Sequence, residues 1–348
     1  MRVGSIGYAT CQGLGYLMKS FFESGLVTDP VVFRHGSPKR PTHLGWYPPD
    51  TLELVGRPFS GSHLDRLVRG VDVMLFFETP FDWSVLDFCR ARGVKTILMP
   101  MYEWTPNVWP VKPDAVVCPS LLDLDYFHAE FPAGMAEFIP VPVETKYWRS
   151  RETATRFLHN AGGIGHREHK GTRQLLEAVP YVKSDFRLTV RAQDVDDFNR
   201  MLDSFPDLRK DDRVTVQVGG IPYEQLWDGH DVLVAPEKFN GLSLPLQEAR
   251  AAGMLVMTTD RYPHNTWLPR WPLIPVERTQ RARVGGTYRE FDECVVNPVD
   301  VAKTIDMLFG CEIREYSEAG RVWAERNSWP ALIERYRDFF QRVKEYRP

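Results

Sequence analysis

A short segment, 238–253, combines residue types that could bind a phosphate group and a sugar diol. It reads KFNGLSLPLQEARAAG, with Gly241, Ser243 and Pro245 directly ahead of a small-residue pattern that predicts a helix. Serine is a favoured cap and proline is tolerated in a first turn, so we expect the helix to begin near Ser243. The free N–H groups of such a turn bind anions, and Gly241 lets the backbone approach a ligand closely. Glu248, about one turn further, could accept hydrogen bonds from a vicinal diol such as a ribose. A capped helix with an incidental surface glutamate remains an equal alternative.

A second candidate loop reads HNAGGIGHREHKG and follows a predicted strand. Arg167 and Lys170 place two cations just ahead of a predicted helix, which suits the diphosphate of a leaving group. Close approach of the backbone is allowed by three glycines, Gly162, Gly163 and Gly165. His166 and His169 are three residues apart, but no third ligand is near, so we expect no metal. The alternative is a surface loop with solvated charges.

The elements that must position these loops follow a repeated strand–helix pattern, which predicts an α/β fold with mostly parallel sheets. Strands are expected at 2–8, 30–34, 72–77, 95–99, 115–119, 155–161, 186–192, 213–219, 231–236 and 254–259. Helices are expected at 13–25, 120–131, 171–182, 297–310 and 328–347.

The domain boundary is expected near the segment IPVPVETKYWRSR, because its alternating prolines favour an extended connection. We predict a first domain at 1–145, a second domain at 146–328 and a final amphipathic helix at 329–348. Two such domains normally face each other across a cleft, and ligands lie at the carboxyl ends of their strands.

The composition is that of a soluble globular protein, with 43% hydrophobic and 26% charged residues among 348. A formal net charge of −3 gives no general attraction to nucleic acid or membrane. The N-terminus lacks a signal-peptide pattern, no run of about 20 apolar residues is present, and the five scattered cysteines suit reduced thiols. We therefore expect a cytoplasmic protein without a transmembrane segment, and we leave peripheral membrane contact open.

The segment APEKFNGLSLPLQEARAAGMLVMTT resembles the donor site of retaining, GT4-like glycosyltransferases with the GT-B fold. The match rests on the family's two prolines, two glycines, leucine, alanine and second glutamate, which fall here at Pro236, Gly241, Leu244, Pro245, Glu248, Ala249 and Gly253. HKGTRQLLEAV resembles the family's lysine–glycine helix start, and NSWPALIERYRDFF resembles its last helix.

This resemblance implies two Rossmann-like domains facing a central cleft, of which 1–145 binds the acceptor and 146–328 binds the nucleotide-sugar. It also implies that the C-terminal helix, 329–348, crosses back to the first domain. It implies transfer of a hexose or pentose, with retention, from a UDP- or GDP-sugar to a hydroxyl acceptor, without a metal or other cofactor. Lys170 stands in the phosphate-binding position and Glu248 in the ribose-binding position. The remaining implied substrate contacts are the amides around Gly241, Leu242 and Ser243, the base contacts Gly220 and Ile221, and the glycines Gly13 and Gly15 near the sugar.

Three positions depart from the family pattern. Asn240 replaces the first glutamate of the paired-acid motif, and it can orient sugar hydroxyls but cannot offer a negative charge. Tyr102, Glu103 and Trp104 occupy the region of the family's histidine, so we take Glu103 as the candidate for contact with sugar or acceptor, with a loop-capping acid as the alternative. Arg167 lies closer to Lys170 than the family's arginine does.

The acceptor is hardly encoded in the sequence. We read 276–290 as a loop that carries Arg278, Arg281, Arg283 and Arg289, which is either a solvated loop or a contact for an anionic acceptor such as a modified base in DNA. Two other functions remain open. A catalytically silent sugar-nucleotide-binding protein is favoured by Asn240, and a nucleotide-sugar epimerase shares the two-domain architecture.

Overall fold

A computed structural model of the protein describes residues 1–34, 36, 40–59, 61–162 and 168–347. Its strands are β1 (Val3–Gly7), β2 (Asp29–Phe33), β3 (Leu52–Leu54), β4 (Val73–Glu78), β5 (Lys95–Pro100), β6 (Ala115–Cys118), β7 (Ala136–Phe138), β8 (Arg156–Gly162), β9 (Arg187–Ala192), β10 (Val214–Val218), β11 (Val232–Ala235), β12 (Leu255–Thr258), β13 (Arg278–Ala282) and β14 (Phe291–Val295). Its helices are α1 (Gly13–Glu23), α2 (Gly61–Val68), α3 (Ser84–Ala91), α4 (Leu121–Phe127), α5 (Thr172–Ala178), α6 (Val195–Leu202), α7 (Leu244–Ala251), α8 (Pro298–Leu308), α9 (Arg314–Arg326) and α10 (Trp329–Glu345).

The chain divides into two compact units, and each is built from more than one segment. Unit 1 contains Met1–Val141, Arg283–Arg289 and Trp329–Pro348, and unit 2 contains Pro142–Ala282 and Glu290–Ser328. The change of unit after Val141 lies four residues before the boundary that we expected from sequence. The short internal segment Arg283–Arg289 and the C-terminal segment with α10 belong to unit 1.

Unit 1 is organised around a parallel sheet with the strand order β3-β2-β1-β4-β5-β6-β7. All five residues of β1 are buried, as expected for a strand with both faces covered. The helix α10 packs inside this unit through its apolar stripe, where Tyr336, Phe339 and Phe340 are fully buried. Trp329 Nε1 also donates a hydrogen bond to Ser20 Oγ.

Unit 2 contains a smaller parallel sheet with the order β10-β9-β8-β11-β12. Alternate residues of β11 enter different cores: Val232 and Val234 pack on one face of the sheet, and Leu233 and Ala235 on the other. From β8 the chain runs outward through β9 to β10 and then returns to β11 on the other side of β8. The switch point of this doubly wound sheet therefore lies between β8 and β11, where ligands of such sheets bind.

Several expected elements are confirmed within one or two residues, but the expected helix 120–131 ends at Phe127 and other expectations also need correction. The predicted helix 171–182 ends at Ala178 and continues as a 3-10 turn over Val179–Tyr181, because the proline inside it cannot continue a regular α-helix. The region 276–290 is not a loop, since it contains β13, whose partner in an antiparallel hairpin is β14. The helices α2, α3, α6 and α9 were not expected from the sequence. Within the described chain no helix is both long and apolar enough to span a bilayer.

Candidate functional site at the switch point of unit 2

Two loops meet at the carboxyl ends of β8 and β11. Gly171, which precedes α5, has a φ of 71°, and a Cβ built on it would lie 2.0 Å from the carbonyl oxygen of Pro236. Only glycine can therefore hold this left-handed position so close to the backbone that follows β11. The contact brings Lys170, the preceding residue, beside the loop that begins at Glu237.

His159 anchors the same junction from inside the sheet. Its ring is fully buried, with Nδ1 2.7 Å from the Val234 carbonyl oxygen and Nε2 2.8 Å from Thr172 Oγ1. Burial lowers the pKa of His159 to about 4, so the ring is neutral at pH 7. A carbonyl only accepts, so Nδ1 carries the proton and Nε2 accepts from the threonine hydroxyl. This neutral histidine joins β8, β11 and the start of α5.

Lys170 is the central cation among the described residues of this junction. Its ammonium lies against the end of β8, where a Cβ added to Gly162 would be 2.7 Å from Nζ. Burial lowers the pKa of Lys170, while the carboxylates of Glu237 and Glu248 oppose that shift. A half-buried ammonium facing two carboxylates at a switch point is suited to an anionic ligand that also presents hydroxyl groups.

Glu248 lies in α7 and is held by a neighbouring phenol. Tyr223 Oη donates a hydrogen bond of 2.7 Å to Glu248 Oε1. Burial raises the pKa of Glu248 to about 7, although the hydrogen bond from Tyr223 and the charge of Lys170 both favour the carboxylate. The structure thus places Lys170 and Glu248 together, as the sequence predicted, and adds Tyr223, which the sequence analysis missed.

The loop before α7 is fixed by its own side chains, which corrects the expected capping. Ser243 has a φ of 47° and makes no side-chain cap; its hydroxyl donates instead to Glu237. Asn240 Oδ1 accepts a hydrogen bond of 2.9 Å from the Ser243 backbone N–H. That amide, which we had assigned to phosphate, is therefore already satisfied. Gly241 and Leu242 are buried within the same loop.

Two further residues of the site lacked a recognisable motif. Glu237 is 1% exposed and its Oε2 lies 3.9 Å from Nδ1 of the buried His264. Arg261 follows β12, donates to the backbone carbonyl of Asn240, and donates to that of Tyr262 at 2.9 Å. Both follow strands at the same sheet edge, which is the one signal in the sequence that could have identified them.

The two residues that we expect to contact the nucleotide base lie further along the same sheet. Gly220 and Ile221 follow the edge strand β10 and precede a 3-10 turn, Tyr223–Gln225. Gly220 is exposed, and a Cβ added to it would meet nothing within 4 Å. Open space at this point is compatible with a planar ligand group. The same short segment delivers Tyr223 to Glu248.

The candidates of the first domain belong to unit 1. Gly13 opens α1 and is exposed, whereas Gly15 is buried, and a Cβ added to it would lie 2.0 Å from the carbonyl oxygen of Thr10. Close packing of α1 on its own loop is therefore the visible reason for glycine at position 15. Glu103 is buried and lies near two other acids, Glu78 and Asp123. Burial, with the charge of Glu103 adding to it, raises their pKa values to about 7 and about 8, respectively.

The arginines expected to contact an anionic acceptor lie on or near the hairpin. Arg278 and Arg281 are on β13, and Arg283 begins the turn. Arg281 forms ion pairs with Asp292 at 2.8 Å and Glu290 at 3.5 Å. Four arginines between 276 and 295 are matched by four acids, Glu277, Glu290, Asp292 and Glu293, so the segment has no net charge. The expected loop at 276–290 is thus corrected to part of a hairpin, and contact of its arginines with an anionic acceptor stays a prediction.

Gly163, Gly165, His166 and Arg167 lie outside the described residues. Within the described ranges, no group of three or more His, Cys, Asp or Glu side chains is arranged to hold a metal ion.

Comparison with known proteins supplies the fold. No protein-family model matches the sequence, and no curated protein matches it. A glycosyltransferase from Rickettsia africae is similar in structure, with a TM-score of 0.71, 13% identity and 99% of both chains covered. The chain has the fold of the GT-B glycosyltransferases.

Two other solved structures agree with this assignment. Anabaena HepE, solved with UDP and glucose, gives a TM-score of 0.69 at 8% identity, covering 98% of this chain and 99% of that one. Sucrose-phosphate synthase from Thermosynechococcus elongatus gives a TM-score of 0.64 at 14% identity, covering 99% of both chains. At these identities the similarity establishes the fold alone.

Proposed function

We propose that this protein is a glycosyltransferase that uses a nucleoside-diphosphate sugar, of the UDP or GDP class, and transfers a hexose or pentose with retention to a hydroxyl acceptor. The observation that carries the proposal is the position of Lys170. A glycosyltransferase-like fold places a half-buried ammonium at the switch point of unit 2, facing Glu237 and Glu248. The charge of a diphosphate is complementary to the ammonium of Lys170, and the hydroxyls of a ribose can donate hydrogen bonds to Glu248.

The donor is proposed to lie along the carboxyl edge of the second sheet. Lys170 binds the diphosphate, with Arg167 as a second cation and the backbone around Gly241 and Leu242 as hydrogen-bond donors. Glu248 accepts hydrogen bonds from the ribose, and Gly220 with Ile221 borders the base. HepE was solved with UDP and glucose, which makes UDP-glucose the first donor to test.

The proposed chemistry needs no metal, because lysine and arginine supply the positive charge. The bond from the anomeric carbon to the phosphate oxygen breaks while the acceptor oxygen bonds to that carbon on the same face. The acceptor proton passes to the leaving phosphate, whose growing charge is stabilised by Lys170. Since the oxygen of Asn240 is used by Ser243, its amide nitrogen is the group proposed to donate to a sugar hydroxyl. Activity that survives a chelator would support this reading.

The acceptor is proposed to bind to unit 1, where Glu103 is the candidate contact. A DNA acceptor gains no support from the hairpin, whose arginines are balanced by acids. DNA with hydroxymethylated bases still belongs in the acceptor panel. If it is the acceptor, binding must weaken steeply as salt rises, and affinity that is independent of salt would contradict this role.

The deciding experiment is a panel of UDP- and GDP-sugars, each with and without candidate hydroxyl acceptors, read by nucleotide release and by product anomer. Nucleotide release that depends on acceptor supports transfer, and an α-linked product from an α-linked donor supports retention. Conversion of the donor into its epimer, without release, would indicate an epimerase. Tight donor binding without any product would indicate a silent sugar-nucleotide-binding protein, the reading that Asn240 favours.

A further inference from the structure

Tyr223 and Glu248 connect two parts of the proposed donor site that the sequence treats separately. Tyr223 belongs to the turn that follows Gly220 and Ile221, and Glu248 belongs to α7. We infer that Tyr223 is a positioning residue, which holds the carboxyl group of Glu248 in the orientation that accepts the ribose hydroxyls. The inference rests on the proposed donor site.

The hydrogen bond from Tyr223 involves one of the two carboxyl oxygens of Glu248. The phenol donates to Oε1 at 2.7 Å, so Oε2 is free of that bond and can accept from a diol. The ring of Tyr223 is itself held edge-on by Tyr147, with centroids 5.7 Å apart. A half-buried glutamate with several rotamers is thereby restricted to the arrangement that a bound ribose requires.

The charges around the pair keep the phenol a donor. Burial raises the pKa of Tyr223 well above its usual value, and the nearby carboxylates of Glu248 and Glu144 raise it further. Tyr223 therefore remains protonated throughout the pH range in which an enzyme of this kind is assayed. Among the described residues, the positive charge of Lys170 also favours the ionised form of Glu248.

Loss of the hydroxyl has a predictable sign. Burial raises the pKa of Glu248, and the hydrogen bond from Tyr223 lowers it. The balance of these effects, with the charge of Lys170, is a pKa of about 7. Without the phenol the pKa rises, so more Glu248 is protonated at pH 7 and the ribose loses an ionised acceptor. Raising the pH restores the carboxylate and part of the binding.

The test compares Tyr223→Phe with Tyr147→Phe, which removes a hydroxyl from the adjacent ring without touching Glu248. Calorimetric titration with UDP and with GDP should show Tyr223→Phe binding about tenfold more weakly at pH 7. The difference in affinity between Tyr223→Phe and the wild type should become smaller by pH 9. The affinity of Tyr147→Phe should equal that of the wild type at every pH. Equal affinities for Tyr223→Phe and wild type, or a loss that is the same at every pH, would overturn the inference.

A ligand-free measurement separates this inference from the proposed function. The carboxyl carbon of Glu248 can be followed by NMR during a pH titration, with Glu248→Gln used to assign its signal. Its titration midpoint should rise by about one pH unit in Tyr223→Phe. An unchanged midpoint overturns the positioning role even if UDP binds. A wild-type protein that binds neither nucleotide overturns the proposed function while the midpoint shift still reports the Tyr223–Glu248 coupling.

Discussion

The side-chain oxygen of Asn240 accepts a hydrogen bond from the backbone N–H of Ser243 at 2.9 Å. The residue that replaces the expected acid is therefore part of the loop's internal structure, because it holds the left-handed Ser243 ahead of α7. A loop with one amide occupied in this way has fewer donors to offer a phosphate than the sequence pattern suggests.

Asn240→Asp should retain binding of the nucleoside diphosphate, because aspartate keeps the oxygen that accepts from Ser243 and the amide nitrogen is proposed to contact only the sugar. Asn240→Ala leaves the Ser243 amide without its partner, which costs about 1 kcal/mol and predicts roughly five- to tenfold weaker binding of the nucleoside diphosphate. Isothermal titration of both variants checks this. Equal losses in the two variants would show that the carboxamide acts on the ligand and does not act through Ser243.

Lys170→Ala should reduce turnover roughly 10²–10³-fold, since the cation stabilises charge that develops on the leaving phosphate. Lys238→Ala is the matched control, because Lys238 is a nearby lysine that forms an ion pair with Glu168 at 3.0 Å. We expect that variant to lose much less in kcat than Lys170→Ala, because the Lys238 ammonium is already paired with Glu168. Steady-state rates with the donor found in the panel provide the measurement. Similar kinetic losses in both would contradict a specific role for Lys170.

Gly171→Ala should destabilise unit 2 far more than Gly310→Ala. Both glycines have positive φ, 71° and 80°, but an added Cβ at Gly171 meets the Pro236 carbonyl, whereas one at Gly310 meets nothing within 4 Å. Left-handed strain alone costs roughly 1–2 kcal/mol, and the clash adds about 1–3 kcal/mol at Gly171. Urea unfolding of the two variants tests the difference, and matching midpoints would contradict the close approach.

Asp123→Asn should remove part of the loss of stability that occurs as pH rises from about 4 to about 8. Burial raises the folded-state pKa of Asp123 to about 8, so the folded protein retains a proton that the unfolded chain releases at a lower pH. Stability therefore falls as pH rises toward 8, by up to about 1.4 kcal/mol per pH unit for this one group. The exposed neighbour Asp125 in α4 supplies the control variant, Asp125→Asn. Unfolding free energies between pH 5 and 9 should show a flatter slope only for Asp123→Asn.

The parallel sheets and the central residues of the site could be predicted because buried strands and glycine-rich loops leave clear patterns. Lys170 and Glu248 each follow such a strand, and the structure places them together. The conformation of Ser243 could not be predicted, since a serine before a helix normally caps that helix. Here the Ser243 hydroxyl donates instead to Glu237, which precedes the segment 238–253. Tyr223 was missed because a phenol in a turn has no motif.

The missed elements have a different physical cause. The strand β13 reads RTQRA and is mostly exposed, so it has no apolar alternation to reveal it. The helix α9 packs through small residues: its buried positions are Ser317, Gly320 and Ala324. A Cβ added to Gly320 would lie 2.6 Å from the carbonyl oxygen of Arg250, so α9 approaches α7 too closely for large apolar side chains. Periodicity searches that rely on large residues overlook such a helix.

The division of the chain also affects how the protein folds and how it can be dissected. The backbone passes between the two units four times, after Val141, Ala282, Arg289 and Ser328. During synthesis, unit 1 cannot complete its core until α10 has left the ribosome, because Phe339 and Phe340 are part of that core. A chain truncated at 328 would expose the surface that α10 covers, and neither unit can be recovered intact as a single uninterrupted fragment. Complementation by a separate α10 peptide, and not a simple cut between domains, is the dissection that this topology permits.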